Sequence, residues 1–122
     1  MKYKQVGNSG LITSNLTLGT MIFGEKSTRS TPKKDALNMI EHYLDVGGNH
    51  IDTADVYAEG RSEKIVGKAL KKRRKDFILS TKVRFPTSTN PNAEGLSRLH
   101  IMDGVHASLK RLQTDYIDLL YI

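Results

Sequence analysis

Residues 47–70 read GGNHIDTADVYAEGRSEKIVGKAL, and this stretch decides the fold. Its leading glycines suit the end of a helix, NHID has the composition of a short strand, and an amphipathic helix begins at Ser62-Glu63. In parallel α/β folds, functional side chains collect on the loops that follow strands. The loop of this stretch carries five ionisable side chains: Asp52, Asp55, Tyr57, Glu59 and Arg61.

The same alternation of strand and helix extends along the whole chain. In the last predicted helix, Ile101, Val105, Leu109 and Leu112 recur at helical spacing and predict its packed face. Caps and turn residues mark the other boundaries, with Thr31 as the N-cap of the first helix and Pro32 in its first turn. The predicted elements are a hairpin in residues 1–13, a strand in residues 15–21, a helix from Thr31-Pro32 to Gly47, the strand NHID, a helix from Ser62, a strand in residues 76–83, a helix, and a strand in residues 116–122.

Composition limits the classes of protein to which the chain can belong. Its 122 residues suit one domain, and its net charge is +6, from 19 Lys and Arg against 13 Asp and Glu. The basic run at residues 71–76, KKRRKD, is interpreted as the solvated end of a helix; the alternative, a nucleic-acid or heparin patch, lacks interleaved aromatic residues. The chain has no cysteine and no long apolar segment. We therefore expect a cytoplasmic protein that binds neither membranes nor nucleic acid.

Alternating strands and helices leave two architectures, an open doubly wound sheet and the first half of a (β/α)₈ barrel. A doubly wound nucleotide-binding domain usually carries a glycine-rich phosphate turn after its first strand. Residues 19–24, GTMIFG, fit neither the G-x-G-x-x-G motif nor a P-loop. The last predicted strand has no helix after it, and a whole barrel needs about 250 residues. The sequence therefore predicts the N-terminal half of a (β/α)₈ barrel, with the hairpin capping the barrel bottom.

The spacing of Asp52, Tyr57 and Lys82 predicts a chemical site. Asp52 and Lys82 each end a predicted strand, one βαβ unit apart, so both side chains reach the same edge of the sheet. Tyr57 lies on the loop after Asp52. An ammonium beside a phenol favours the phenolate and lowers the phenol pKa, while a carboxylate holds the ammonium in place. The trio could thus form a tuned general acid, or a structural ion pair beside a half-buried tyrosine.

Four segments resemble the aldo-keto reductases in order and approximate spacing, over almost the whole chain. The resemblance is closest to the branch that contains general-stress oxidoreductases and potassium-channel beta subunits. The combination of D-x-x-x-x-Y with a strand that ends in STK is the most specific part. The four segments are VGNSGLITSNLTLGTMIFG at residues 6–24, residues 47–70, ILSTKV at residues 78–83 and SLKRLQTDYIDLLYI at residues 108–122.

The resemblance implies a partial aldo-keto reductase domain over residues 1–122, and NADPH-dependent reduction of a small aldehyde or ketone without a metal. It implies that Tyr57 donates the proton, that Lys82 lowers the pKa of Tyr57, and that Asp52 pairs with Lys82. Gly19, Thr20 and Met21 are implied to line the site of the nicotinamide ribose, with Asp52 near that ribose.

The resemblance also implies what is missing. The family's catalytic histidine directly follows the strand that here ends at Ile122, so we expect the chain to be truncated before it and inactive alone. A non-catalytic cofactor-binding or regulatory protein on the same scaffold, like the channel beta subunits, is the alternative. The open edges of half a barrel predict self-association.

The remaining polar and aromatic candidates receive ordinary structural interpretations. Glu59 and Arg61 are expected to form a solvated loop pair, and Asp55 to accept a hydrogen bond within its turn. Phe23 lies just beyond the first barrel strand and could border a substrate pocket. Surface or packing positions are expected for the four histidines, and no pair of them has metal-ligand spacing. These are His42, His50, His100 and His106.

Overall fold

A computed structural model describes residues 1–122 and has the predicted order of elements. A two-stranded antiparallel hairpin precedes a four-stranded parallel sheet, and a helix follows each of the sheet's first three strands. The hairpin consists of β1 (Tyr3–Gln5) and β2 (Ile12–Ser14); the sheet of β3 (Leu18–Gly19), β4 (His50–Asp52), β5 (Ile78–Lys82) and β6 (Leu119–Tyr121); the helices are α1 (Lys33–Asp45), α2 (Arg61–Leu70) and α3 (Arg98–Leu112), with 3₁₀ turns at Tyr57–Gly60 and Arg74–Asp76.

The sheet has the strand order of half a barrel. Its order is β3-β4-β5-β6 and every pair is parallel, with Gly19 opposite Asp52 and Lys82 opposite Tyr121. Strand order does not reverse, as it would in a doubly wound sheet. The hairpin lies at the N-terminal end of β4, where the Ser14 amide donates to Asn49 Oδ1. This arrangement confirms the predicted half barrel with its capped bottom.

The two faces of the sheet differ in polarity because side chains alternate along each strand. On one face, Ile51 and Leu79 are fully buried beneath the helices and form the centre of the hydrophobic core. The opposite face carries polar side chains from β4 and β5. The core cluster contains Phe23, Ala36, Ile40, Ile51, Ile65, Val66, Leu70, Phe77, Leu79 and Leu112.

Helix α3 uses a different face from the predicted one. Ile101, Val105 and Leu109 are only half-buried. Small residues allow this helix to approach its neighbours closely. A Cβ atom on Gly104 would lie 2.8 Å from a methyl group of Val83 at the end of β5. The packed stripe consists of His100, Gly104, Ser108 and Leu112, so the pattern of large apolar residues was right for Leu112 and wrong for the other three predicted positions.

Helices α2 and α3 are in contact through backbone as well as side chains. A Cβ on Gly67 would lie 2.5 Å from the Leu112 carbonyl oxygen, a distance that no side chain tolerates. Glycine at this position is therefore required by the approach of the α3 C-terminus. The two helices are fixed against each other at this point.

Two predictions about the segment between β3 and α1 are wrong. Thr31 is not the N-cap, because its backbone pairs with that of Phe23 in a parallel bridge, and Pro32 occupies the cap position without a side-chain hydrogen bond. Phe23 does not border a pocket. This pairing holds the Phe23 segment beneath the helices, and the ring is fully buried in the core.

One residue of the basic run after α2, Arg74, makes specific contacts within the fold. The helix ends at Leu70, and Arg74 stacks on the ring of Tyr116, with its guanidinium carbon 3.7 Å from the ring centroid. Arg74 also forms an ion pair with Asp118 at 2.7 Å. The interpretation of the whole run as a solvated helix end is therefore wrong for Arg74, which ties this run to the segment leading into β6.

A strained turn connects the end of β4 with α2 and carries Tyr57. Ala58 and Glu59 adopt left-handed backbone conformations, with φ of 50° and 56°, and Gly60 follows with φ of 80°. Such conformations cost a non-glycine residue roughly 1–2 kcal/mol. They turn the chain sharply after Tyr57, so that α2 begins at Arg61, one residue before the predicted start.

Ala58→Gly is expected to raise the free energy of unfolding by up to about 1 kcal/mol. Relief of the left-handed strain outweighs the greater unfolded-state entropy of glycine, which is about 0.5–1 kcal/mol. The matched control, Ala69→Gly within α2, should lower the same free energy by about 1 kcal/mol. Urea unfolding at low protein concentration, followed by circular dichroism, measures both. A loss of stability in Ala58→Gly would contradict the assigned strain.

Candidate functional site

An ion pair joins the ends of β4 and β5 on the polar face of the sheet. Lys82 Nζ lies 2.5 Å from Asp52 Oδ2 and also donates to the Thr53 carbonyl oxygen at 2.8 Å. The register explains the contact: Asp52 is opposite Ser80, so the Lys82 side chain reaches back over two residues. The predicted pairing of Asp52 with Lys82 is present.

Tyr57 reaches the same ammonium from the loop above the strands. Lys82 Nζ lies 4.9 Å from the centroid of the Tyr57 ring. A lysine ammonium has three donors, and Asp52 and Thr53 take two of them. The phenol oxygen of Tyr57 forms no hydrogen bond within the chain. Lys82 thus lies over the ring of Tyr57, and no hydrogen bond joins its ammonium to the phenol hydroxyl.

A hydrogen-bonded chain behind the ion pair fixes the Asp52 carboxylate. Ser80 Oγ donates to Asp52 Oδ1 at 2.7 Å, and His50 Nε2 lies 3.0 Å from the same hydroxyl. Burial lowers the pKa of His50, an effect that the nearby Asp52 and Asp118 carboxylates oppose. His50 therefore packs within the polar face as a hydrogen-bonded neutral side chain, in agreement with its predicted packing role.

The three residues expected at a nicotinamide ribose occupy different environments. Gly19 borders a cleft with Asp52 and Lys82, and a Cβ at Gly19 would meet no atom within 4 Å. Thr20 is fully buried, and its hydroxyl bonds to the Asp52 carbonyl oxygen and to Ser62. Met21 is 51% exposed. The structure therefore brings Gly19 next to the ion pair, exposes Met21, and turns the Thr20 side chain into the interior.

Two clefts meet at Lys82 and Tyr121. One, of about 330 Å³, extends over Gly19 and Asp52 toward β3 and is mainly polar in its residues. The other, of about 260 Å³, is mainly apolar and is bordered by Tyr57 and Phe85. An ammonium and a phenol at the junction of a polar and an apolar cleft can deliver a proton to the polar end of a small organic molecule.

A buried carboxylate escaped the sequence analysis. Glu63 on α2 is completely buried, accepts from Thr81 Oγ1 at 2.7 Å, and pairs with Arg111 of α3 at 2.5 Å. The signal was available, because Glu63 shares the buried stripe of α2 with Val66 and Leu70 at helical spacing. A charge on an apolar stripe requires a partner. This pair binds α2 to α3 and to the outer face of β5.

Asp55 is more than a turn acceptor. It is 5% exposed, and its Oδ2 atom has no hydrogen-bond partner. Burial and the Glu63 carboxylate raise the pKa of Asp55, and the Val56 amide and Arg111 only oppose this effect. The Val56 amide gives Asp55 the backbone interaction that was predicted for its turn, and the second carboxylate oxygen is left buried without a partner.

Other predicted side chains lie where ordinary structural roles would place them. Glu59 and Arg61 form the expected loop pair at 2.7 Å, with the Glu59 side chain 75% exposed. His42 and His106 are on the surface, whereas His100 is buried on α3.

No helix combines the length and apolar character that crossing a bilayer requires.

Comparison with known proteins agrees with this geometry. A sequence model described as "Aldo/keto reductase family" matches residues 15–122. A probable voltage-gated potassium channel subunit beta of Arabidopsis thaliana is 44% identical over 125 residues, which cover 99% of this chain and 37% of the relative. The aldo-keto reductase YhdN of Bacillus subtilis is 40% identical and is matched over 38% of its length.

Solved structures give the same result at the level of the fold. The holo form of an aldo-keto reductase from Bacillus halodurans superposes with a TM-score of 0.83 at 43% identity, over 98% of this chain and 39% of that one. An aldo-keto reductase from Pseudomonas, described there as putative, gives 0.81 at 33% identity. The chain thus spans well under half the length of the relatives that it matches. With its four parallel strands and its Asp52–Lys82 pair beneath Tyr57, the chain belongs to the aldo-keto reductase family, as the N-terminal part of its (β/α)₈ barrel.

Proposed function

We propose that this chain is the proton-donating half of an NADP-dependent aldo-keto reductase that reduces small aldehydes or ketones to alcohols. The observation that carries the proposal is the Lys82 ammonium, held by Asp52 and 4.9 Å from the Tyr57 ring centroid. The similarity to the aldo-keto reductase YhdN of Bacillus subtilis supports this class of reaction. A cysteine-free chain is compatible with the reducing cytoplasm, where we place this activity.

Tyr57 is the proposed proton donor to the carbonyl oxygen. A phenol with its ordinary pKa near 10 donates poorly at neutral pH, and a nearby ammonium stabilises the phenolate that donation leaves behind. Lys82 supplies this ammonium. Asp52 and the Thr53 carbonyl keep it charged and oriented, and its third donor is free for the phenolate oxygen. The apolar cleft beside Tyr57 suits the hydrocarbon part of a small carbonyl compound.

The cleft over Gly19 is compatible with the expected nicotinamide nucleotide. Space above Gly19 is open, the Asp52 carboxylate borders it, and Met21 is exposed nearby. NADPH, when bound, supplies the hydride of the reduction. Gly19 and Asp52 would hold its ribose end, and Thr20 would contribute through its backbone directly after β3, since its hydroxyl is bonded internally. The Bacillus halodurans relative is described as a holo form, which supports a cofactor in this family.

Replacing Tyr57 by phenylalanine is expected to lower the rate of NADPH-dependent aldehyde reduction by about 10² to 10⁴-fold, the usual contribution of general acid catalysis. The assay requires a complete barrel, obtained by continuing the chain after Ile122 with the corresponding C-terminal part of the Bacillus subtilis relative. Absorbance of NADPH records turnover, and a fluorescence titration records cofactor binding, which the substitution should leave unchanged. The 122-residue chain alone should show no turnover above buffer.

Tyr116→Phe is the matched control, because it removes a phenol from an exposed ring whose packing on Arg74 does not involve the hydroxyl. It should retain full activity. Undiminished turnover in Tyr57→Phe, with Tyr116→Phe as the reference, would remove Tyr57 as the acid.

A regulatory role is the second candidate function. It is favoured by the two plant relatives described as probable voltage-gated potassium channel subunits beta, which are 44% and 42% identical to this chain. In such a protein the same cleft would bind the nucleotide, and slow turnover would be incidental. A completed barrel that binds NADPH tightly but reduces no member of a panel of small aldehydes and ketones would favour this second function.

We also infer that the isolated 122-residue chain self-associates through the exposed edges of β3 and β6. Each is an end strand of the sheet with unpaired backbone groups. Ile122→Lys, at a position that is 66% exposed beside β6, should shift the chain toward monomer in size-exclusion chromatography with light scattering. Met39→Lys adds the same charge on the exposed side of α1 and should not. A monomeric unsubstituted chain would contradict this inference.

A further inference from the structure

A third cleft lies away from the Lys82 ammonium, between α3 and the loop that leads from β5 to α3. Its volume is about 400 Å³. The loop contributes polar side chains such as Ser88 and Asn90, and α3 contributes Leu99 and Ala107 as an apolar side. Of the residues that line the apolar cleft at Tyr57, only Asp55 is shared. The proposed carbonyl chemistry makes no use of this space.

Two residues that line this α3 cleft each contain a buried polar atom that has no partner. The two atoms are Asp55 Oδ2 and His100 Nε2, and no other buried side-chain nitrogen or oxygen of the chain is unsatisfied. Their residues are 5% and 2% exposed. An unpaired buried polar atom costs roughly 1–3 kcal/mol. Both residues line the same cleft, where a single ligand could supply both missing partners.

Arg111 does not complete Asp55, because none of its nitrogens lies within hydrogen-bond distance of Asp55 Oδ2. Arg111 lines the cleft, but its Nε donates to Glu63 and its Nη2 to Ser108. Its aliphatic part is pressed against Gly60, where a Cβ would lie 2.7 Å from Arg111 Cδ. Arg111 is therefore held in position by its own partners and by the strained turn.

The remaining charge of the cleft is negative. Arg111 balances Glu63, which leaves the carboxylates of Asp55 and Asp103 without an ion-pair partner. No other lysine or arginine lines the cleft. A metal ion does not fit, because no three His, Asp or Glu side chains converge as a ligand set. Burial and the Glu63 carboxylate raise the pKa of Asp55, and the nearby Arg111 and His100 offset this only in part.

We propose that the α3 cleft is a binding site for a small organic cation, a primary alkylammonium. The ammonium donates to Asp55 Oδ2 and to His100 Nε2, and the alkyl chain packs along Leu99 and Ala107. This placement gives a hydrogen bond to both unsatisfied atoms and a counter-charge to Asp55. The site is independent of the carbonyl reduction proposed for Tyr57.

Three probes of equal length test the proposal on the 122-residue chain: n-butylammonium, 1-butanol and butyrate. Ligand-observed saturation-transfer NMR reports binding whatever the oligomeric state of the protein. At neutral pH and constant ionic strength, butylammonium should bind at least about 10-fold more tightly than butanol, as expected for a charged hydrogen bond, and butyrate should bind least. Equal affinities for the amine and the alcohol would overturn the proposal.

Asp55→Asn should remove the preference, weakening butylammonium by about 10-fold while butanol changes little. Asp35→Asn, which neutralises an exposed carboxylate on α1, is the control and should bind like the unsubstituted chain. Ala107→Leu fills the apolar side of the cleft and should abolish binding of amine and alcohol alike; it provides the test if Asp55→Asn fails to fold by circular dichroism. Unchanged amine binding in a folded Asp55→Asn, or in Ala107→Leu, would overturn the assignment.

Discussion

The ion pair between Asp52 and Lys82 is the constraint around which the rest of this structure is arranged. Its side chains are 23% and 35% exposed, so the attraction is too well solvated to stabilise the fold by more than about 1 kcal/mol. Its importance is geometric. It can form only if β4 and β5 are adjacent and parallel and end at the same edge. The loop that follows β4 then has to pass directly over the pair, and Tyr57 lies there.

The two faces of the sheet have different roles: one is packed against the helices, and the other carries the ion pair. The helix-covered face contains Ile51 and Leu79 and supplies the burial that holds the strands together. The other face contains His50, Asp52 and Ser80 in one hydrogen-bonded series that ends at Lys82. Each polar group in this series satisfies the next, so charge can be held near the interior without an unpaired atom.

Sequence was sufficient for the order of elements, the parallel sheet and the meeting of Asp52 with Lys82, because these depend on periodicity and on spacing along the chain. It failed where packing overrides pattern. The buried stripe of α3 follows Gly104 and Ser108, since close approach favours small residues that carry no hydrophobic signal. Thr31 is a residue type that commonly caps helices, but its backbone pairs with that of Phe23 in a parallel bridge. Burial of Asp55 depends on contacts across the fold that local patterns do not contain, whereas burial of Glu63 could have been inferred from its helical spacing with Val66 and Leu70.

Arg111 has a further consequence for how the site is maintained. It extends from α3, lies against Gly60 in the turn that carries Tyr57, and ends at the buried Glu63 of α2. The Arg111 side chain thus links α3, on the outside of the sheet, to the loop above the ion pair. The alignment of the phenol over the ammonium is in this way subject to the position of α3. Substitutions on α3, remote from Lys82, can therefore shift Tyr57 relative to Lys82 without removing either side chain.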